Sequence, residues 1–160
     1  MIAAISACML TSCSKNEFPY LYNPPDQLAL PGTYVLVSDS VTRLQEMGYS
    51  QFDAKITIKG DGTFEASSMP GDWIDDVSSK HGYDNCSGTW KPEGLSDRYF
   101  VILTILKFSA DSAFNSNGNF KGHGPPPIFL GIADRTPERK QYALAVLLNN
   151  EDDGCLIFVK

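Results

Sequence analysis

Histidine is nearly absent from this chain of 160 residues, which holds only His81 and His123. Metal centres and acid–base catalysts lean on imidazole, so this scarcity narrows both classes at once. Basic residues are also in short supply, with 13 Lys plus Arg against 19 Asp plus Glu and a net charge of −6. A nucleic-acid-binding surface needs a basic stripe, and without one that class is set aside. No apolar run approaches the ~20 residues that cross a bilayer as a helix. The chain also lacks the GxSxG nucleophile turn, the HExxH metal pair and the phosphate-cradling P-loop. What it does have is 42% apolar residues, enough for a core, with 13 Gly and 10 Pro to punctuate it. Its length suits one domain.

The first ten residues, MIAAISACML, are almost wholly apolar, and the chain turns polar at Ser14-Lys15-Asn16-Glu17. An apolar stretch of this length ending in small residues reads as a secretory signal rather than structure. Leu10-Thr11-Ser12-Cys13 resembles the lipobox of bacterial lipoproteins. The resemblance implies cleavage before Cys13, whose thiol then carries the lipid that anchors the protein to a membrane. Ser14, rather than Asp, behind that cysteine implies sorting to the outer membrane, facing the periplasm. Residues 1–12 are thus expected to be a signal peptide, and 13–30 a lipid anchor and tether. Pro19, Pro24 and Pro25 with no clear periodicity fit a tether. Residues 14–30, fully extended, would reach roughly 55–60 Å. The folded domain is expected over 31–160.

That domain reads as a succession of strands. Gly32 to Val37 is rich in β-branched and aromatic residues. Ala54, Ile56 and Ile58 alternate with polar neighbours, and Gly60-Asp61-Gly62 supplies a tight turn into Thr63-Phe64-Glu65-Ala66. Cys86, Gly88 and Trp90 alternate in the same way. Apolar runs follow at Tyr99–Phe108, Ile128–Ala133, Tyr142–Leu148 and Cys155–Val159, which makes eight strands. One short helix is expected over Trp73–His81, capped by Asp72 and closed by Gly82. Val41, Leu44 and Met47 form a second, weaker helical stripe closed by Gly48.

The expected fold class is all-β: an eight-stranded antiparallel meander that closes on itself, with one or two short helices. The Gly32-Thr33-Tyr34 start, the Ile56-to-Phe64 hairpin and Gly88-Thr89-Trp90 resemble a lipocalin-like (calycin-type) β-barrel. The likeness extends to fold alone, because a fold does not name a function.

With Cys8 and Cys13 assigned to signal and anchor, Cys86 and Cys155 remain. In an exported domain a pair reads as one disulfide, which would close a loop of about 70 residues. Such a bond would also resemble the bridge that many lipocalins carry. Two separate buried thiols are the alternative.

No residue set announces catalysis, so no enzyme activity is expected. His81 suits the end of the Trp73 helix. Asp75 and Asp76 point about 100° apart on that helix, where capping already accounts for them. Asn149 to Gly154 is acidic, but Lys160 stands where a calcium loop places its bidentate Glu, so the segment reads as a charged turn. Neither a metal nor a cofactor is expected. The candidate binding loops carry Trp73, Phe120 and His123, the last within Lys121-Gly122-His123-Gly124-Pro125.

One pattern exceeds an ordinary barrel. The Tyr99–Phe108 and Tyr142–Leu148 runs are apolar on both faces, so something must cover their outer side. The Trp73 helix, the Pro-rich tether, a second copy or a partner are the candidates. Functionally, the expectation is a lipid-anchored binding protein holding a small apolar ligand or envelope component. The alternative is a periplasmic inhibitor or immunity-type lipoprotein that grips a protein partner.

Overall fold

The computed structural model describes residues 19–70, 83–108, 127–133, 141–147 and 155–160. Eight strands follow in chain order: β1 (Gly32–Leu36), β2 (Lys55–Ile58), β3 (Thr63–Pro70), β4 (Tyr83–Leu95), β5 (Arg98–Phe108), β6 (Ile128–Ala133), β7 (Ala143–Leu147) and β8 (Cys155–Val159). Each pairs antiparallel with its neighbour in sequence, and β8 returns to β1 to close the barrel. Closure leaves no row of unpaired backbone groups at an edge. All eight expected strands are present, as a lipocalin-like meander requires.

The closing seam is short. Only Val35↔Val159 and Leu36↔Phe158 pair across it. Beyond them the chain leaves the ladder for the helix α1 (Ser38–Glu46), and backbone groups on β8 need other partners. Val37 N–H donates to the Ile157 carbonyl at 3.0 Å, and the Ile157 N–H donates to Ser40 Oγ at 2.8 Å. The helix therefore stands in for the missing length of β1. It ends at Gly48 (φ +89), where Gly48 N–H and Tyr49 N–H fold back onto the carbonyls of Gln45 and Leu44. Its inward face is Ser40 and Leu44, rather than the expected Val41–Leu44–Met47 stripe. Ser40 and Leu44 face β8 and the core, and Met47, the cap residue beyond the helix, is exposed. The expected Trp73–His81 helix lies outside the described residues.

Antiparallel succession gives the barrel two unlike ends. At one end lie the β2–β3 and β4–β5 hairpins, the β6–β7 connection, the start of β1 and the C-terminus. This end is plugged. A 3-10 turn, Gln27–Ala29, precedes β1 and drives Leu30 fully into the core. The Tyr34 hydroxyl donates to the Leu30 carbonyl at 2.6 Å, and Lys160 Nζ sits 5.4 Å from the Tyr34 ring centroid. Lys160 also donates to the Ala29 carbonyl. Trp90 Nε1 donates to the Lys59 carbonyl at 2.8 Å, which folds the β2–β3 turn over the same end.

Burial pushes the Tyr34 phenol well above its ordinary range, and the nearby Tyr142 adds to the shift. A raised folded-state value makes the contribution full below the unfolded phenol's pKa and lost as pH rises through the folded one. Stability is therefore expected to fall above about pH 10. Tyr34→Phe should flatten that fall and cost about 1 kcal/mol at neutral pH through the lost hydrogen bond. Denaturant titrations of both proteins at neutral and alkaline pH measure this, and parallel pH profiles would count against it.

Ordered packing begins before Pro31, which corrects the expected tether. Tyr20 and Leu21 are buried, with Tyr20 bridged to Ala133. Leu21 donates its N–H to the Ile132 carbonyl at 2.8 Å and accepts from Tyr99 N–H at 3.0 Å. The segment is thus wedged where the ends of β5 and β6 separate. The reason was hidden in sequence because these contacts are tertiary: isolated apolar residues among prolines carry no period.

Candidate functional site

The opposite end of the barrel receives the connections β1–β2, β3–β4, β5–β6 and β7–β8. The β1–β2 connection contains α1, whose Leu44 enters the core and covers the arc nearest β8. Two of the other three connections contain the residues expected to bind. Trp73 belongs to the β3–β4 connection, and Phe120 and His123 to the β5–β6 connection. All three lie outside the described residues, as does Cys13.

An eight-stranded barrel is just wide enough for side chains to fill it or to leave room for one small ligand. Here the deeper layers are filled. Tyr34, Ile56, Ile58, Phe64, Leu103, Leu130, Ile132 and Phe158 are 0–1% exposed. A void large enough for water would leave these side chains accessible from inside, so the packing between them is tight. The layer nearer the rim differs. Ala66 on β3, Cys86 on β4, Ile105 on β5, Ile128 on β6 and Val146 on β7 each keep 5–6% exposure. Met69, next inward-facing on β3, is fully buried. This slight exposure follows one arc, from β3 to β7, where two of the five side chains are as small as Ala and Cys.

Two irregularities shape this arc, one on each neighbour of β4. On β3 the register shifts between Ala66 and Met69, and Ser68 adopts φ +53. Its N–H donates to Asn85 Oδ1 at 3.0 Å, which holds the bulge against β4. On β5 Leu106 is the extra residue, because Gly88 pairs with Ile105 while Ser87 pairs with Lys107. Bulges bend a strand and redirect its side chains. The second bulge interrupts the period-two alternation of β5: Lys107, two residues past Ile105, is exposed instead of sharing the inner face of Val101, Leu103 and Ile105.

The expected Cys86–Cys155 disulfide is not formed. Cys86 is a buried thiol of the inner core, whereas Cys155 belongs to the cluster on the outer face of the wall. A disulfide needs its two Cα atoms within about 7 Å and their side chains directed together, and opposite faces of a sheet forbid that. Parity decided the matter: each cysteine obeys its own strand's alternation, and the two strands are not neighbours. Cys86 is therefore expected to resist iodoacetamide in the native protein and to react in denaturant without any reductant. Labelling that requires prior reduction would contradict this.

The outer wall answers the two-faced strands in part. Ala133, Ala143, Ala145, Cys155 and Ile157 form a buried cluster that includes Tyr20, so one segment expected to be tether does cover this face. Tyr20 packs on Phe100 with ring centroids 5.8 Å apart, and Arg98 lies 4.5 Å above the Tyr20 ring. Burial raises the Tyr20 phenol, with Arg98 opposing the rise. Nearer the rim the wall is open: Leu106 is 65% exposed and Phe129 43%.

Among the described residues no group of three or more His, Cys, Asp or Glu could hold a metal. No described helix is long and apolar enough to cross a membrane. Of the five rim-layer residues, sequence marks only Cys86, and for a disulfide rather than for a place in a site. The signal was present in the small-residue positions Ala66 and Cys86 on inward-facing registers, but which layer they occupy depends on the pairing. Comparison with protein-family models, with curated proteins and with solved structures finds no match to this chain.

Proposed function

We propose that this is an exported, lipid-anchored, non-catalytic binding protein of the bacterial envelope. It seats a small apolar ligand, or the apolar part of an envelope component, at the rim end of its barrel. One observation carries this reading: Ala66, Cys86, Ile105, Ile128 and Val146, the wall residues nearer the rim, keep 5–6% exposure, whereas Tyr34, Ile56, Ile58, Leu103 and Leu130 deeper in the barrel keep 0–1%. A filled lower barrel limits the ligand to a shallow insertion rather than a deep calyx. The lining is wholly apolar, and no cofactor enters this reading. The apolar first ten residues and the Leu10-Thr11-Ser12-Cys13 stretch support export and anchoring through Cys13, with Ser14 supporting an outer-membrane address facing the periplasm.

The test uses the native lipoprotein purified from its own envelope, with extracted lipids identified by mass spectrometry. Ala66→Phe fills the rim layer and should abolish co-purification of an apolar ligand, while Cys13→Ser should move the protein out of the membrane fraction without changing that ligand. Lipid retention unaffected by Ala66→Phe would remove the ligand reading, and membrane fractionation of the Cys13→Ser protein would remove the anchor.

A second reading has its own support. Leu106 and Phe129 stand exposed on the outer wall close to the same rim, which suits a protein partner held by an inhibitor or immunity-type lipoprotein. The same purification separates the two, because Leu106→Glu would release a bound protein and leave a bound lipid in place.

A further inference from the structure

We infer that the plugged end of the barrel rests on the lipid surface and that the rim end is turned away from it. This builds on the lipid-anchor reading and adds a contact which that reading does not require. The chain enters the fold at the plugged end, where Tyr20 is bridged to Ala133, the last residue of β6, and Leu21 is hydrogen-bonded to Ile132 and Tyr99. That packing removes most of the slack. From Cys13 to Tyr20 the chain covers at most about 25 Å, less than half the reach of a tether running to Leu30.

The same end presents apolar side chains to solvent. Leu28 is 93% exposed, Tyr22 60% and Leu95, at the tip of the β4–β5 hairpin, 37%. Leu28 is held there by its surroundings. The Asp26 carboxylate accepts from Leu28 N–H at 3.1 Å, and Asp26 N–H donates to the Tyr142 hydroxyl at 2.9 Å. An exposed Leu and an exposed Tyr at the end that also carries both signs of charge, in Lys59, Asp61, Asp97 and Arg98, have the chemistry of a headgroup-level contact. A short leash keeps that contact near the bilayer, and the rim with its binding layer then faces the aqueous side.

The experiment uses the full lipidated chain in vesicles of phosphatidylethanolamine and phosphatidylglycerol, with and without bromine on the acyl chains. Leu28→Trp places a reporter at the plugged end, and Leu106→Trp places one on the outer wall near the rim. Bromination is expected to reduce the added emission of Leu28→Trp by about half and to leave that of Leu106→Trp unchanged. Equal quenching of both, or of neither while the protein still floats with the vesicles, overturns the orientation and leaves the anchor standing. A wild-type protein that does not float and whose N-terminal peptide carries no acyl chain overturns both together.

Discussion

Gly88→Ala is expected to lower the melting temperature by roughly 10 °C, corresponding to about 3 kcal/mol. A Cβ built on Gly88 would stand 1.9 Å from the Thr104 carbonyl oxygen and 3.0 Å from the Leu106 nitrogen. Both are backbone atoms of β5, fixed by their own ladder, so neither can swing aside as a flexible side chain would. The crowding follows from the Leu106 bulge, which presses the β5 backbone onto β4 at this register. Gly62→Ala provides the control. Gly62 needs a positive φ (+84) but has nothing within 4 Å of its missing Cβ, so only the conformational cost of about 1 kcal/mol applies. Thermal unfolding of the two variants beside the parent decides the matter. Equal, small losses would mean that β5 can shift away from Gly88 and that the bulge is soft.

Phe158→Ala is expected to cost about 4 kcal/mol and to loosen the barrel at its seam. Phe158 is fully buried and pairs with Leu144 on one side and Leu36 on the other. Most barrel interfaces spread over four or more registered pairs, but β1 and β8 share two. A cavity at this position therefore weakens the contact with the fewest alternatives. Amide exchange should report it: protection at Leu36 and Phe158 should fall further than protection at Ile56 or Leu130. A uniform loss across all strands would show instead that the seam shares its stability with the whole barrel.

Much of this architecture was legible in the amino-acid order. Period-two alternation at Ala54–Ile58 and Cys86–Trp90, and the apolar runs from Tyr99 onward, placed eight strands before any pairing was known. Gly60-Asp61-Gly62 marked its hairpin through local chemistry alone: Asp61 Oδ1 accepts from both the N–H and the hydroxyl of Thr63. Those same bonds hold the Asp61 carboxyl below its usual range. Strand identity survives in sequence because alternation and turn residues act over a few positions. The candidate site was less legible. Trp73, Phe120 and His123 stand out by residue type, whereas Ala66 and Cys86 enter the proposed site only through their size at one particular height in the barrel.

Sequence by itself determined the scarcity of histidine and of basic charge, the apolar start ending at Cys13, the number of strands and their order. Only the tertiary structure decided which faces meet. It put Cys86 inside and Cys155 outside, turned Lys107 outward through a one-residue bulge, and drew Tyr20 and Leu21 out of a presumed tether into the wall. These outcomes depend on register and on contacts between residues far apart in the chain. A one-residue slip exchanges the two faces of a strand without altering the local pattern from which the strand was recognised.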